Sequence, residues 1–104
     1  MKEKKTALGF DKIIKPHINE LNGIAKRYGI NYFFLFGSIA RGEGNEHSDV
    51  DFLVDFIKIP TLFKLADLQL DLEKILKRNV DLVVRGCLKP EIEEAFCKEA
   101  KKVL

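Results

Sequence analysis

Two short runs rich in β-branched and aromatic residues, Ile30–Phe36 and Asp49–Phe56, flank a glycine-rich polar loop over 37–48. Neither run is long enough for a helix of ordinary length, and their composition reads as strand. The first run is closed by Gly37 and the second opens with Asp49-Val50-Asp51, so residues 33–51 form one device of strand, sharp turn, loop and strand. A chain committed to this device must build a sheet whose loop end carries polar chemistry.

The remaining residues supply helices to cover that sheet. From Phe10 the set Phe10, Ile13, Ile14, Ile18, Leu21, Ile24, Ala25 and Tyr28 follows helical spacing, and Gly29 stands where a C-cap belongs. Pro16 lacks an N–H, so this helix either kinks there or begins its regular part there. Thr61–Lys77 has helix length with Thr61 as N-cap, and Val80–Val84 is a third strand. A last helix is expected from Pro90 through Ile92, Ala95, Phe96, Ala100 and Val103, while residues 1–9 read as a frayed lead-in. The order α, β, loop, β, α, β, α predicts an α/β (α+β) fold, a small mixed sheet with helices packed on it. With 104 residues, a single domain spanning 1–104 is expected.

Composition narrows the classes. No stretch approaches the ~18 apolar residues of a spanning helix, and the start is too polar for a signal peptide, so a cytoplasmic protein without membrane contact is expected. Cys87 and Cys97 read as reduced thiols, with no ligand spacing for zinc. The net charge of +2 is too small to argue for or against a nucleic-acid or membrane partner, but it hides an asymmetry: residues 37–55 hold one base against five acids.

That acidic segment is where chemistry is expected. Ser38 offers a hydroxyl and an N–H at the start of a helical turn, where free N–H groups attract phosphate. Asp49 and Asp51 lie two apart on a strand, so both carboxylates leave one face without a base between them. Such a pair repels itself, and Mg²⁺, which prefers carboxylate oxygens and shares its site with substrate phosphates, removes the conflict. Other motifs fail on the letters. Glu43 stands where a P-loop needs Lys, and His47 where a dinucleotide fingerprint needs its third glycine. An EF-hand from Asp49 would place Val54 and Pro60 at its glycine and glutamate positions. Phe33, Phe34 and Phe36 read as core rather than as a base-stacking platform.

Gly37-Ser38, ten residues, then Asp49-Val50-Asp51 resembles the signature of the nucleotidyltransferase superfamily that includes DNA polymerase β, in its minimal, antitoxin-type form. Ala40-Arg41-Gly42 and Val80-Asp81-Leu82-Val83 extend the resemblance, which covers about residues 29–85. It implies transfer of a nucleoside monophosphate from an NTP, usually ATP, to a hydroxyl, with two Mg²⁺ ions clamping the displacement. By the same resemblance Asp49 and Asp51 bridge both ions. Asp81 holds the ion that activates the acceptor, or acts as general base. Gly37 and Ser38 seat the β/γ-phosphates, and Arg41 either balances their charge or is a solvated loop residue. No further domain to grip an acceptor is expected here, and the resemblance implies as acceptor a tyrosine of a small helical HEPN toxin, with the chain as its antitoxin. Two alternatives stay open: a binding antitoxin acting by occlusion, and a transferase acting on a small molecule. Whether His47 or Arg85 joins the site is also open.

Overall fold

The computed structural model describes residues 7–87 and 89–103. The amphipathic stretch is broken at Pro16 into a short α1 (Phe10–Ile13), a 3-10 turn at Lys15–His17 and a regular α2 (Ile18–Tyr28). The proline therefore does both things considered for it, ending one helical piece and standing in the turn that starts the next. Gly29 ends α2 in the left-handed conformation at φ +69°, where its N–H reaches Ala25 O.

Strands β1 (Ile30–Phe36), β2 (Val50–Phe56) and β3 (Val80–Val84) lie within a residue of their expected bounds. Between the last two runs α3 (Leu62–Leu76), capped by Thr61 Oγ1 accepting from Lys64 N–H at 3.2 Å. A crossover of this length is what parallel neighbours require, and β2 and β3 do pair in parallel, whereas β1 pairs with β2 antiparallel. The mixed sheet has the order β3-β2-β1-β4.

The fourth strand departs from expectation. The last helix, α4 (Pro90–Glu99), stops before Ala100, and Lys101–Lys102 form β4 along the free edge of β1. Ala100 and Val103 continue the helical spacing in the sequence, but the edge of β1 has unpaired backbone groups to satisfy, and Val103 N–H donates to Phe33 O at 2.9 Å. Leu8, expected in a frayed lead-in, is instead paired, since Leu8 and Gly44 exchange two backbone hydrogen bonds of 2.8 and 2.9 Å. Residues 1–6 and the side chains of Cys87, Ala95, Phe96 and Cys97 lie outside the described residues.

One face of the sheet, carrying Phe33, Leu35, Val50, Phe52, Val54 and Val80, packs with the buried stripes Leu21, Ile24, Ala25 of α2 and Leu68, Leu72, Leu76 of α3. Phe33 meets Phe52 edge-on at 4.8 Å between ring centroids, which makes Phe33 core as expected. The helices are tied to each other by Tyr28 Oη donating to Asp71 at 2.6 Å and Arg27 at 3.3 Å from the same oxygen. Cross-strand register puts Phe34, Phe36, Asp51, Leu53, Asp81 and Val83 on the opposite face. Among the described residues no helix is long and apolar enough to cross a membrane.

Leu72→Ala empties a fully buried position between α3 and the sheet and is expected to lower the unfolding free energy by about 2–5 kcal/mol in urea denaturation. Leu70→Ala on the exposed side of the same helix should stay within about 0.5 kcal/mol of the parent, which separates packing from helix propensity.

Candidate active site

The sharp turn after β1 is made by Gly37 at φ +84°. A single irregular turn follows, with Arg41 N–H on Gly37 O at 3.2 Å, Gly42 N–H on Ile39 O at 3.1 Å and Glu43 N–H on Ser38 O at 2.8 Å. Ile39 and Ala40, apolar residues inside a polar loop, are buried and plug this turn into the body of the protein. Ser38 is left half-buried, and Arg41 and Gly42 are exposed. Sequence reasoning passed over that plug, although two apolar residues within a polar loop were the signal for it.

Two acids meet at the same end of the sheet, with a third near enough for its charge to be felt. Asp51 lies opposite Phe36 on β1 and opposite Asp81 on the parallel β3. Same-register residues on neighbouring strands project from the same face, so the two carboxyls are neighbours. Burial, then hydrogen bonding to Asp81, then the charges of Asp81 and Asp49 push the Asp51 carboxyl up from 3.8 to about 6, with Arg41 opposing the rise. In the cation-free protein Asp51 therefore takes up a proton at a higher pH than an ordinary carboxylate, near pH 6. Asp49, expected on the strand, precedes it by one residue and is exposed.

Gly37 is shaped to this arrangement. A Cβ there would run into Asp51 Oδ2 and come within 3.2 Å of its Cγ, so only glycine lets the turn lie against the carboxylate. Arg41 donates from Nε to Glu43 Oε1 at 3.0 Å, and its charge also reaches Asp51. His47 is exposed and lines an open cleft with Asp49, Glu73, Lys77 and Arg78. Arg85 lies at the other end of β3, its guanidinium 4.2 Å from the Tyr32 ring centroid, away from the acids. Arg78, which no motif in the sequence singles out, donates to the carbonyls of Asn45 and Ser48 just before Asp49.

The donor set fits a divalent cation. Two adjacent carboxyls in partial burial, with a third acid nearby, destabilise one another as anions, and a hard cation on their oxygens removes that penalty. Among the described residues no three His, Cys, Asp or Glu side chains converge into a finished cage, so the structure brings Asp51 and Asp81 together and leaves Asp49 beside them.

Comparison with known proteins identifies the family and the fold. The family model described as nucleotidyltransferase domain matches residues 18–103. The protein adenylyltransferase MntA of Thermococcus cleftensis is 42% identical over 89 residues, covering 86% of this chain and 87% of that protein. A solved structure described as a candidate minimal nucleotidyltransferase superposes with a TM-score of 0.78 at 34% identity, covering 90% and 95% of the two chains. A structure of a tri-AMPylated Shewanella oneidensis HEPN toxin in complex with MNT antitoxin shares the fold, with a TM-score of 0.66 at 17% identity over 86% of this chain and 71% of that one.

Two measurements check the site. Because the folded-state value of Asp51 is raised, its proton stabilises the cation-free fold fully below about pH 4, and that contribution is lost as pH rises through about 6. Asp51→Asn removes the loss, so calorimetry in chelator should find the variant's melting temperature above the parent's at pH 7.5 and level with it at pH 4. An offset independent of pH would contradict the carboxyl pair. Gly29→Ala should cost only the roughly 1–2 kcal/mol of a left-handed alanine, whereas Gly37→Ala, with the same backbone strain plus a clash on Asp51, should cost more in the same melts.

Proposed function

Because the chain belongs to the nucleotidyltransferase domain family, we propose that it is the Mg²⁺-dependent antitoxin of a toxin–antitoxin pair, moving AMP from ATP to a tyrosine hydroxyl of a HEPN toxin. The observation that carries this reading is the Asp51–Asp81 pair held in register across β2 and β3, with the Gly37–Ser38 turn against it. A tyrosine oxygen attacks the α-phosphorus, the bond from that phosphorus to the bridging oxygen of the β-phosphate breaks, and pyrophosphate leaves. The proton lost by the tyrosine passes to Asp81 or to solvent. Asp49 and Asp51, with Asp81 where it does not serve as the base, would hold the cations, which would supply charge neutralisation for the attacking and leaving oxygens. Gly37 and Ser38 present the turn to the β/γ-phosphates. Arg41 leaves Glu43 to face them, its reach toward Asp51 supporting that role.

The names of the relatives support a protein acceptor, since one is called a protein adenylyltransferase and a solved neighbour is complexed with an AMPylated HEPN toxin. The chain is a single domain acting in the cytoplasm, where Cys87 and Cys97 stay reduced, and nucleic acid is not its direct substrate.

A second reading, neutralisation by occlusion, is favoured by one observation. Ile59, Leu62 and Phe63, in and after the β2–α3 connection, are 84%, 83% and 86% exposed, and lie at the end of β2 remote from Asp51. Exposed apolar groups clustered in this way mark protein contact surfaces.

Intact mass spectrometry of the HEPN protein after incubation with this chain, ATP and Mg²⁺ should show addition of AMP, abolished by Asp49→Asn with Asp51→Asn. Neutralisation of toxicity by that double variant would favour occlusion and count against transfer as the antitoxin mechanism.

A further inference from the structure

The turn that delivers Asp49 is fastened from outside its own segment. Within it, Asn45 N–H donates to Ser48 Oγ at 2.9 Å, Ser48 N–H to Asn45 O at 3.1 Å, and His47 N–H to Asn45 Oδ1 at 2.7 Å. One guanidinium nitrogen of Arg78 then donates to both carbonyls that bound the turn, Asn45 O at 3.0 Å and Ser48 O at 2.8 Å. The next residue, Asn79, accepts from Val50 N–H at 2.9 Å. Asp49 is thus flanked by Ser48 bonded to Arg78 and by Val50 bonded to Asn79.

The 78–80 segment is itself anchored. Val80 donates its N–H to Glu73 Oε2 at 3.0 Å and accepts from Gln69 Nε2 at 2.8 Å, so the connection between α3 and β3 is tied to α3 before the chain reaches Asp81. Asp49 is exposed and lies outside the strand, with no packing of its own to hold it. Its placement is inherited from these bonds, and an unfastened loop would have to be ordered at the moment a ligand binds.

We propose that Arg78 is a positioning residue for Asp49: by bridging the Asn45 and Ser48 carbonyls it couples the loop to the β3 segment that carries Asp81, so that the acids take up a divalent cation together. The identity of the ligand rests on the nucleotidyl-transfer reading, whereas the fastening of the loop does not. Outer partners that orient a metal ligand typically change affinity by roughly 10–100-fold when removed, although they touch neither metal nor substrate.

The test uses the full chain, with Arg78→Met and Arg78→Lys, and Mn²⁺ as the probe. Free Mn²⁺ is titrated by electron paramagnetic resonance, and amide hydrogen exchange is followed over residues 45–50 and, as a control for the fold, over β1. Arg78→Met should weaken Mn²⁺ binding by at least about tenfold and speed exchange in 45–50 while β1 stays protected. Arg78→Lys, a charged donor on a shorter stem, should fall between the two in both readouts. Mn²⁺ affinity of Arg78→Met within about twofold of the parent, or affinity that does not follow loop protection across the three proteins, would overturn the proposal. If Arg78→Met also loosens β1, the Arg78→Lys comparison decides by the same criterion. A parent protein that binds Mn²⁺ yet transfers no AMP would sink the transferase reading and leave this one standing.

Discussion

The structure turns on a conflict between two carboxyls. Parallel pairing of β2 with β3 sets Asp51 level with Asp81, and the partly buried pair cannot carry two negative charges without a penalty. That register exists because α3 spans the gap between two parallel strands, and α3 in turn is held by its apolar stripe on the sheet and by Tyr28 reaching Asp71 from α2. Packing energy spent on the helix side of the sheet thereby holds together, on the other side, groups that would separate if free. A cation converts the cost into affinity. Stability and function are therefore opposed at Asp51, as is common where a fold prepares a binding site.

The neighbourhood of the pair follows from the same demand for close approach. A side chain at Gly37 would meet Asp51, and the buried Ile39 and Ala40 anchor the turn that Gly37 begins. Arg78 extends the logic to Asp49, the member of the set with no packing of its own. Two devices place the three acids: strand register for Asp51 and Asp81, a fastened loop for Asp49.

Much of this could be read from the letters, for a physical reason. Strands β1, β2 and β3, the Thr61 cap and the Gly29 stop are set by local composition and by breakers next to them, and all were found within a residue of where expected. The candidate site residues were visible because the spacing of Gly37, Ser38, Asp49 and Asp51 is itself local. What escaped was non-local. Strand β4 exists because β1 has a free edge, which no window around Lys101 contains. Arg78 meets Asn45 and Ser48 only once the chain has folded. Ile39 and Ala40 looked like loop because their neighbours are polar.

The central claim is that this acidic end of the sheet directs attack at the α-phosphorus of a nucleoside triphosphate. Parallel incubations of the chain and the proposed HEPN partner with ATP radiolabelled at the α- or at the γ-phosphate put this to the test. The α-label should become protein-bound while γ-label appears only in pyrophosphate. Protein-bound γ-label would contradict it, because the phosphorus attacked would then be the wrong one.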